Sequence, residues 1–119
     1  MVGTFTVAVE IGNPSGTRFE PVNALVDTGA SVTTLPSSLL EGLGVAPHTE
    51  FTFVLADGRE IQRPVGRTWM RIGDRSEITF VVFADNDVEP LLGAYSQQGL
   101  MLGVDSPNEG LVPVNALMK

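Results

Sequence analysis

ALVDTGAS, residues 24–31, poses the problem of this chain. Leu25 and Val26 run directly into Asp27, and Thr28, Gly29, Ala30 and Ser31 follow. The apolar pair reads as the end of a buried strand. A carboxylate there is costly to keep unless it is paired, hydrogen-bonded or shifted in pKa. One reading is an acid that closes a turn or caps a helix, and without context that reading is the better one. The other is an acid kept for chemistry. The flanking sequence chooses between them.

Upstream, TFTVAVEI (4–11) alternates. Phe5, Val7, Val9 and Ile11 share one parity, and Thr4, Thr6, Ala8 and Glu10 share the other, as in a half-buried strand. GNPSG (12–16) is dense turn chemistry, so a second strand from Phe19 to Val26 completes a hairpin. Downstream, VTTLP (32–36) is a short β run, and SSLLEGLGV (37–45) predicts a short helix. Ser38 and Glu41 have capping-box spacing there, and Gly44 is placed to end the helix. FTFVLADGREIQ (51–62) predicts a hairpin turning at Asp57-Gly58, with Pro64 and Gly66 closing its second arm. RTWMRI (67–72) and EITFVVF (77–83) are two more strands around Gly73-Asp74. The acidic loop ADNDVEP (84–90) leads to Leu91-Leu92-Gly93, then to a short helix over AYSQQGLM broken by Gly99. GLMLGVD and GLVPV predict a last hairpin around SPNEG. Six or more short strands with one or two short helices describe an all-β, small closed barrel-like fold.

The bulk numbers set the class. At 119 residues and 43% hydrophobic content the chain builds one core, a single domain over residues 1–119. Fourteen acids against seven bases leave a net charge of -7, which disfavours nucleic acid and anionic membrane as partners. With no cysteine and only His48 as histidine, thiolate and histidine-rich metal sites are excluded, and no metal or cofactor is implied. No apolar run reaches membrane-spanning length, and no basic-then-apolar leader is visible. The expectation is a soluble protein, cytoplasmic by preference.

Taken together, Ala24-Leu25-Val26-Asp27-Thr28-Gly29-Ala30-Ser31, the hairpin around Ala56-Asp57-Gly58-Arg59, and the later Leu91-Leu92-Gly93 resemble the retroviral-type (retropepsin-like) aspartic protease family. The resemblance runs from about Thr4 to Val114. It implies an aspartic endopeptidase with a retropepsin fold and Asp27 as the catalytic residue. Such enzymes use two carboxylates sharing one proton, because like charges ~3 Å apart cannot both ionise cheaply. One acts as general base toward water, and the other protonates the leaving nitrogen. This chain supplies one Asp-Thr-Gly and is too short for a duplicated enzyme, so a symmetric homodimer is expected, its axis passing between the two copies of Asp27. The resemblance further implies that Thr28 locks the two active loops together and that Gly29 leaves room for substrate backbone. Leu91, Leu92 and Gly93 would pack behind the active loop. Val54, Leu55, Ala56, Asp57, Gly58, Arg59, Glu60 and Ile61 would form a flap over an extended peptide or protein substrate, and the terminal strands would help hold the dimer. Viral members commonly carry an acid where this chain has Ser31 and an arginine where it has Ala94. Their joint absence suggests a cellular or bacterial member. The alternative function is a non-catalytic dimerisation or peptide-binding module on the same fold.

Other conspicuous residues have plain readings. Asp57 is turn chemistry, and Asp85, Asp87 and Glu89 form a solvated loop lacking the glycine and terminal glutamate of a calcium site. Trp69 is a packing or an interface residue, Tyr95 a packing residue, and His48 is on the surface. Arg59, Arg63, Arg67, Arg71 and Arg75 recur every four residues and read as a solvated sheet face, with a peptide-contacting or subunit-contacting face as the minority reading.

Overall fold

The computed structural model describes residues 4–27, 29–105 and 107–114. The two expected N-terminal strands form β1 (Thr4–Gly12) and β2 (Phe19–Asp27), paired antiparallel from Thr4↔Asp27 to Gly12↔Phe19. The alternation of β1 translates into burial: Phe5, Val9 and Ile11 enter the core while Thr6 and Ala8 face out. Next come β3 (Thr33–Pro36), α1 (Ser37–Gly42) and the hairpin of β4 (Thr49–Val54) with β5 (Glu60–Ile72). A tight turn leads into β6 (Arg75–Ala84). The chain then forms β7 (Leu91–Leu92), α2 (Ala94–Gly99) and a separate hairpin of β8 (Leu102–Asp105) and β9 (Gly110–Pro113).

The main sheet has the order β1-β2-β7-β3-β6-β5-β4, and β1 also pairs with β5 through Glu10↔Arg71 and Ile11↔Met70. That extra pairing shuts six strands into a ring and leaves β4 outside it as half of a projecting hairpin. The expected closed all-β architecture is therefore present. Inside the ring Ile11, Val26, Leu35, Met70, Val81 and Leu92 are fully buried, joined by Leu40 from α1. Each such side chain removed from water stabilises the fold by about 1.5–3 kcal/mol before entropy is counted.

β5 overturns one expectation. Pro64 and Gly66 do not close an arm at residue 66; one strand of 13 residues runs through both, and 67–72 is its continuation. Pro64 sits where β5 changes partner: residues 60–65 pair with β4, and 65–72 pair with β6. A residue without an N–H is tolerated at such a handover. Gly66 is buried, and a Cβ there would stand 3.0 Å from the Ala46 carbonyl, so close packing rather than strand termination explains the glycine.

The helix expected over 37–45 forms over Ser37–Gly42, and its capping box does not form. α1 begins at Ser37 behind Pro36 with no side-chain cap of its own. The Ser37 hydroxyl donates instead to the Ala84 carbonyl at 2.8 Å, and the Ser38 N–H is taken by Asn86 Oδ1 at 2.9 Å. The loop after β6 thus supplies the cap. Gly44 lies at the helix end as expected, its N–H donating to Glu41. Gly99 is the last residue of α2 rather than a break within it. Tyr95 is 62% exposed and so is not the packing residue expected.

The arginine series is not one solvated face. Arg71 lies over the Phe19 ring, 3.9 Å from its centroid, and pairs with Glu10 at 2.9 and 3.0 Å. Arg75 donates to the carbonyls of Leu100 and Met101. Arg59 and Arg67 are exposed, while Arg63 is half-buried. Trp69 packs over the Gly16 turn, as a packing residue should.

Candidate active site

Asp27 is the last residue of β2, directly after the fully buried Val26. β2 holds it in register between β1 and β7, so the chain enters the following loop from a fixed direction. Asp27 as a residue is half-buried, and its Oδ1 accepts the Gly29 N–H at 2.9 Å. The Ala30 N–H donates to the Asp27 carbonyl at 3.0 Å. The acid thus closes a turn, as the plain reading required, and the same bond orients its side chain. Thr28 lies outside the described residues.

The loop is fixed from behind. β7 is only Leu91 and Leu92, yet it pairs parallel with β2 through Leu25↔Leu91 and Val26↔Leu92, and antiparallel with β3 through Thr34↔Leu91. The Leu25 N–H also donates to the Pro90 carbonyl at 2.8 Å. Gly93 then passes so close to Val32 that a Cβ would lie 2.2 Å from the Val32 carbonyl carbon. Only glycine fits that approach. The first two amides of α2, Ala94 and Tyr95, donate to the carbonyls of Ala30 and Ser31, both at 3.0 Å. Backbone bonds therefore join the segments that carry Ser31 and Ala94, where neither side chain is charged.

Beneath these bonds lies a buried hydroxyl chain that sequence reasoning did not find. Gly93 N–H donates to Thr33 Oγ1 at 3.0 Å; Thr33 Oγ1 and Ser96 Oγ are 2.6 Å apart; Ser96 Oγ and Thr79 Oγ1 are 2.7 Å apart. Thr33 and Ser96 are each 1% exposed. The chain ties β3, β6 and α2 together at the root of the loop after β2.

The β4–β5 hairpin projects opposite this loop. At its tip the Gly58 N–H donates to the Leu55 carbonyl and the Leu55 N–H to the Arg59 carbonyl. Asp57 accepts the Arg59 N–H at 3.0 Å and its Nε–H at 2.7 Å. The amide bond first and the guanidinium bond second hold the Asp57 carboxyl below its usual range, against a smaller opposing effect of desolvation. Asp57 is turn chemistry, as read.

Between hairpin and loop runs a cleft of about 530 Å³. Gly29, Ala30, Ser31 and Val32 line one side, next to Asp27 in sequence. Phe53, Val54, Leu55, Ile61 and Arg63 line the hairpin side. Val82, Ala84, Asp85, Val88 and Leu91 close the end, with Thr34. β6 shows why its sequence reads as an apolar run: Val81 and Phe83 join the core, while Val82 and Ala84 face the cleft. Of the hairpin residues read as a flap, Val54, Leu55 and Ile61 line the cleft, and Ala56, Asp57, Gly58, Arg59 and Glu60 form the exposed tip and its return. Among the described residues no three His, Asp or Glu side chains converge as metal ligands would, and no helix is long and apolar enough to cross a membrane.

A sequence model of a family described as aspartyl protease matches residues 7–105. The fold is similar to the solution structure of the simian foamy virus (mac) protease, with a TM-score of 0.57 and 25% identity over 82% of this chain and 96% of that one. It is also similar to the EIAV protease in complex with the inhibitor HBY-793, with a TM-score of 0.57 and 23% identity over 79% of this chain and 85% of that one. No curated protein sequence matches it.

Proposed function

The chain belongs to the aspartyl protease family, and on that premise we propose that it is a homodimeric endopeptidase whose catalytic pair is Asp27 and its symmetry mate. The carrying observation is a half-buried aspartate, its Oδ1 held by the Gly29 amide, at the start of the loop that lines a mostly apolar cleft, in a chain with a single Asp-Thr-Gly. One carboxylate cannot be both the base that activates water and the acid that protonates the leaving nitrogen in one step. Two copies across a two-fold axis can, by sharing a proton. The ionised member takes a proton from water as the oxygen attacks the peptide carbonyl. The protonated member polarises that carbonyl, and a proton then passes to the amine as the C–N bond breaks.

In this reading the substrate lies extended in the cleft, its backbone between the loop at Gly29 and the β4–β5 hairpin. The hairpin acts as a flap that excludes water when it closes. Leu91, Leu92 and Gly93, with α2 behind them, keep the loop rigid, so that each acid meets its partner at a fixed separation. Thr28 would join the two loops.

The test is Asp27→Asn, which keeps the shape and removes the charge. Peptide hydrolysis should fall on the order of 10³-fold or more, while sedimentation still reports a dimer. Cleavage at the wild-type rate would sink the assignment. Peptide binding by the wild type with no products over acidic to neutral pH would assign the fold a peptide-holding role instead.

A further inference from the structure

The cleft is mostly apolar, with Ser31 and Thr34 as its uncharged polar side chains, and Arg63 and Asp85 are the two charged side chains among its described lining residues. Arg63 rides on β5 at the base of the hairpin, two residues beyond the cleft-facing Ile61. Asp85 opens the loop after β6. Their approach is loose: Arg63 Nη2 and Asp85 Oδ2 stand 4.0 Å apart, outside hydrogen-bond range. The guanidinium makes one bond, from Nη1 to the Gln62 carbonyl at 3.0 Å. Its Nε and Nη2 have no hydrogen-bond partner among the described residues.

The two charges differ in what they stand to gain. The Asp85 side chain is 74% exposed and already well hydrated, so another ion pair adds little. The Arg63 side chain is 35% exposed, against apolar walls, with a planar fork of free donors. A carboxylate entering beside it gains two charge-assisted bonds in partly desolvated surroundings. The net charge of -7 opposes acidic ligands at long range, but at physiological salt that repulsion is screened beyond about 8 Å, and the contact dominates.

We propose that Arg63 makes its part of the cleft a subsite for a substrate carboxylate, a Glu or Asp side chain of the peptide, which displaces Asp85 from the guanidinium. The proposal rests on the cleft being the peptide site of the preceding section. It adds a preference that an apolar cleft would not have.

Peptides cleaved by the wild-type enzyme, varied one position at a time as Glu, Gln and Lys, test it. At one position Glu should exceed Gln in kcat/KM roughly tenfold, the worth of one good charge-assisted contact, with Lys below both. Arg63→Gln should bring the Glu-to-Gln ratio near one, and Arg63→Glu should favour Lys. Equal rates for Glu and Gln at every position, or a preference for Lys in the wild type, would overturn the proposal; the latter would make Asp85 the determinant. The wild-type comparison stands even if the variants fold poorly. If no peptide is cut, the protease reading fails, and fluorescence anisotropy with the same peptides still decides the subsite: tighter binding of Glu over Gln supports it, and equal binding overturns it.

Discussion

Ser96 has no charge and is not among the cleft's lining residues, yet it links three elements at the root of the loop after β2 through hydroxyls 2.6 and 2.7 Å away. Ser96→Ala leaves Thr33 and Thr79 without that partner in a buried site. It should cost about 1–3 kcal/mol, seen as a lower melting temperature at fixed protein concentration. An unchanged melting point would mean that the two threonines re-pair. The Glu10–Arg71 pair makes a different demand, on pH. The hydrogen bond from Arg71 holds Glu10 below its ordinary value of 4.5, outweighing desolvation and adding to the charge attraction. A lowered folded-state pKa stabilises above the unfolded value and is lost as pH falls through the folded one. The stability gap between wild type and Glu10→Gln should therefore be present at neutral pH and close on acidification below that value. Both side chains are partly exposed, so the gap is modest. A gap unchanged in strong acid would place its origin elsewhere. Asp27 was legible in sequence because an acid after Leu25 and Val26 breaks a pattern. Thr33, Thr79 and Ser96 break none: small hydroxyls fit turns, strands and helices alike, and Ser96 lies 63 residues from Thr33. Arg63 did not stand out from its series for a related reason. Regular spacing suggested a common role for five arginines, whereas twist and changing strand partners give each a different neighbour.

Among the elements, β7 is the shortest strand, yet it is paired on both sides. Two residues lie between β2 and β3, and Gly93 then presses against Val32. Gly93→Ala should cost on the order of 3 kcal/mol or more, because backbone rather than a movable side chain stands in the way. Gly42, at the end of α1, has nothing within 4 Å of an added Cβ. Gly42→Ala should be neutral or stabilise by about 0.4–1 kcal/mol through the unfolded chain. Urea denaturation of the two variants checks both; equal midpoints would refute the packing argument. Strand alternation and the Asp57-Gly58 turn were readable because they depend on neighbours in sequence. The cap of α1 was not, because Asn86 supplies it from 48 residues away. Nor was the continuity of β5 through Pro64, because a handover between two partner strands is a fact of topology.

For the whole molecule, the single Asp27 per chain sets a concentration law. If the site needs two copies, specific activity should fall on dilution below the dimer dissociation constant and recover on reconcentration. Constant specific activity down to concentrations at which sedimentation reports monomers would refute the dimeric site. Closure of the ring was legible only in outline, since Glu10 and Arg71, 61 residues apart, carry no mark of being partners. That junction also governs how the chain is made. A growing polypeptide that has emerged as far as β5 can pair that strand with β1, but β3 has no neighbour until β6 follows, and the gap between β2 and β3 stays open until Leu91 and Leu92 follow. Until then it shows unpaired edges to every neighbouring nascent chain. Assembly from such distant segments belongs to the slow, millisecond-to-second regime, so the interval between synthesis and closure is when this protein most needs a chaperone.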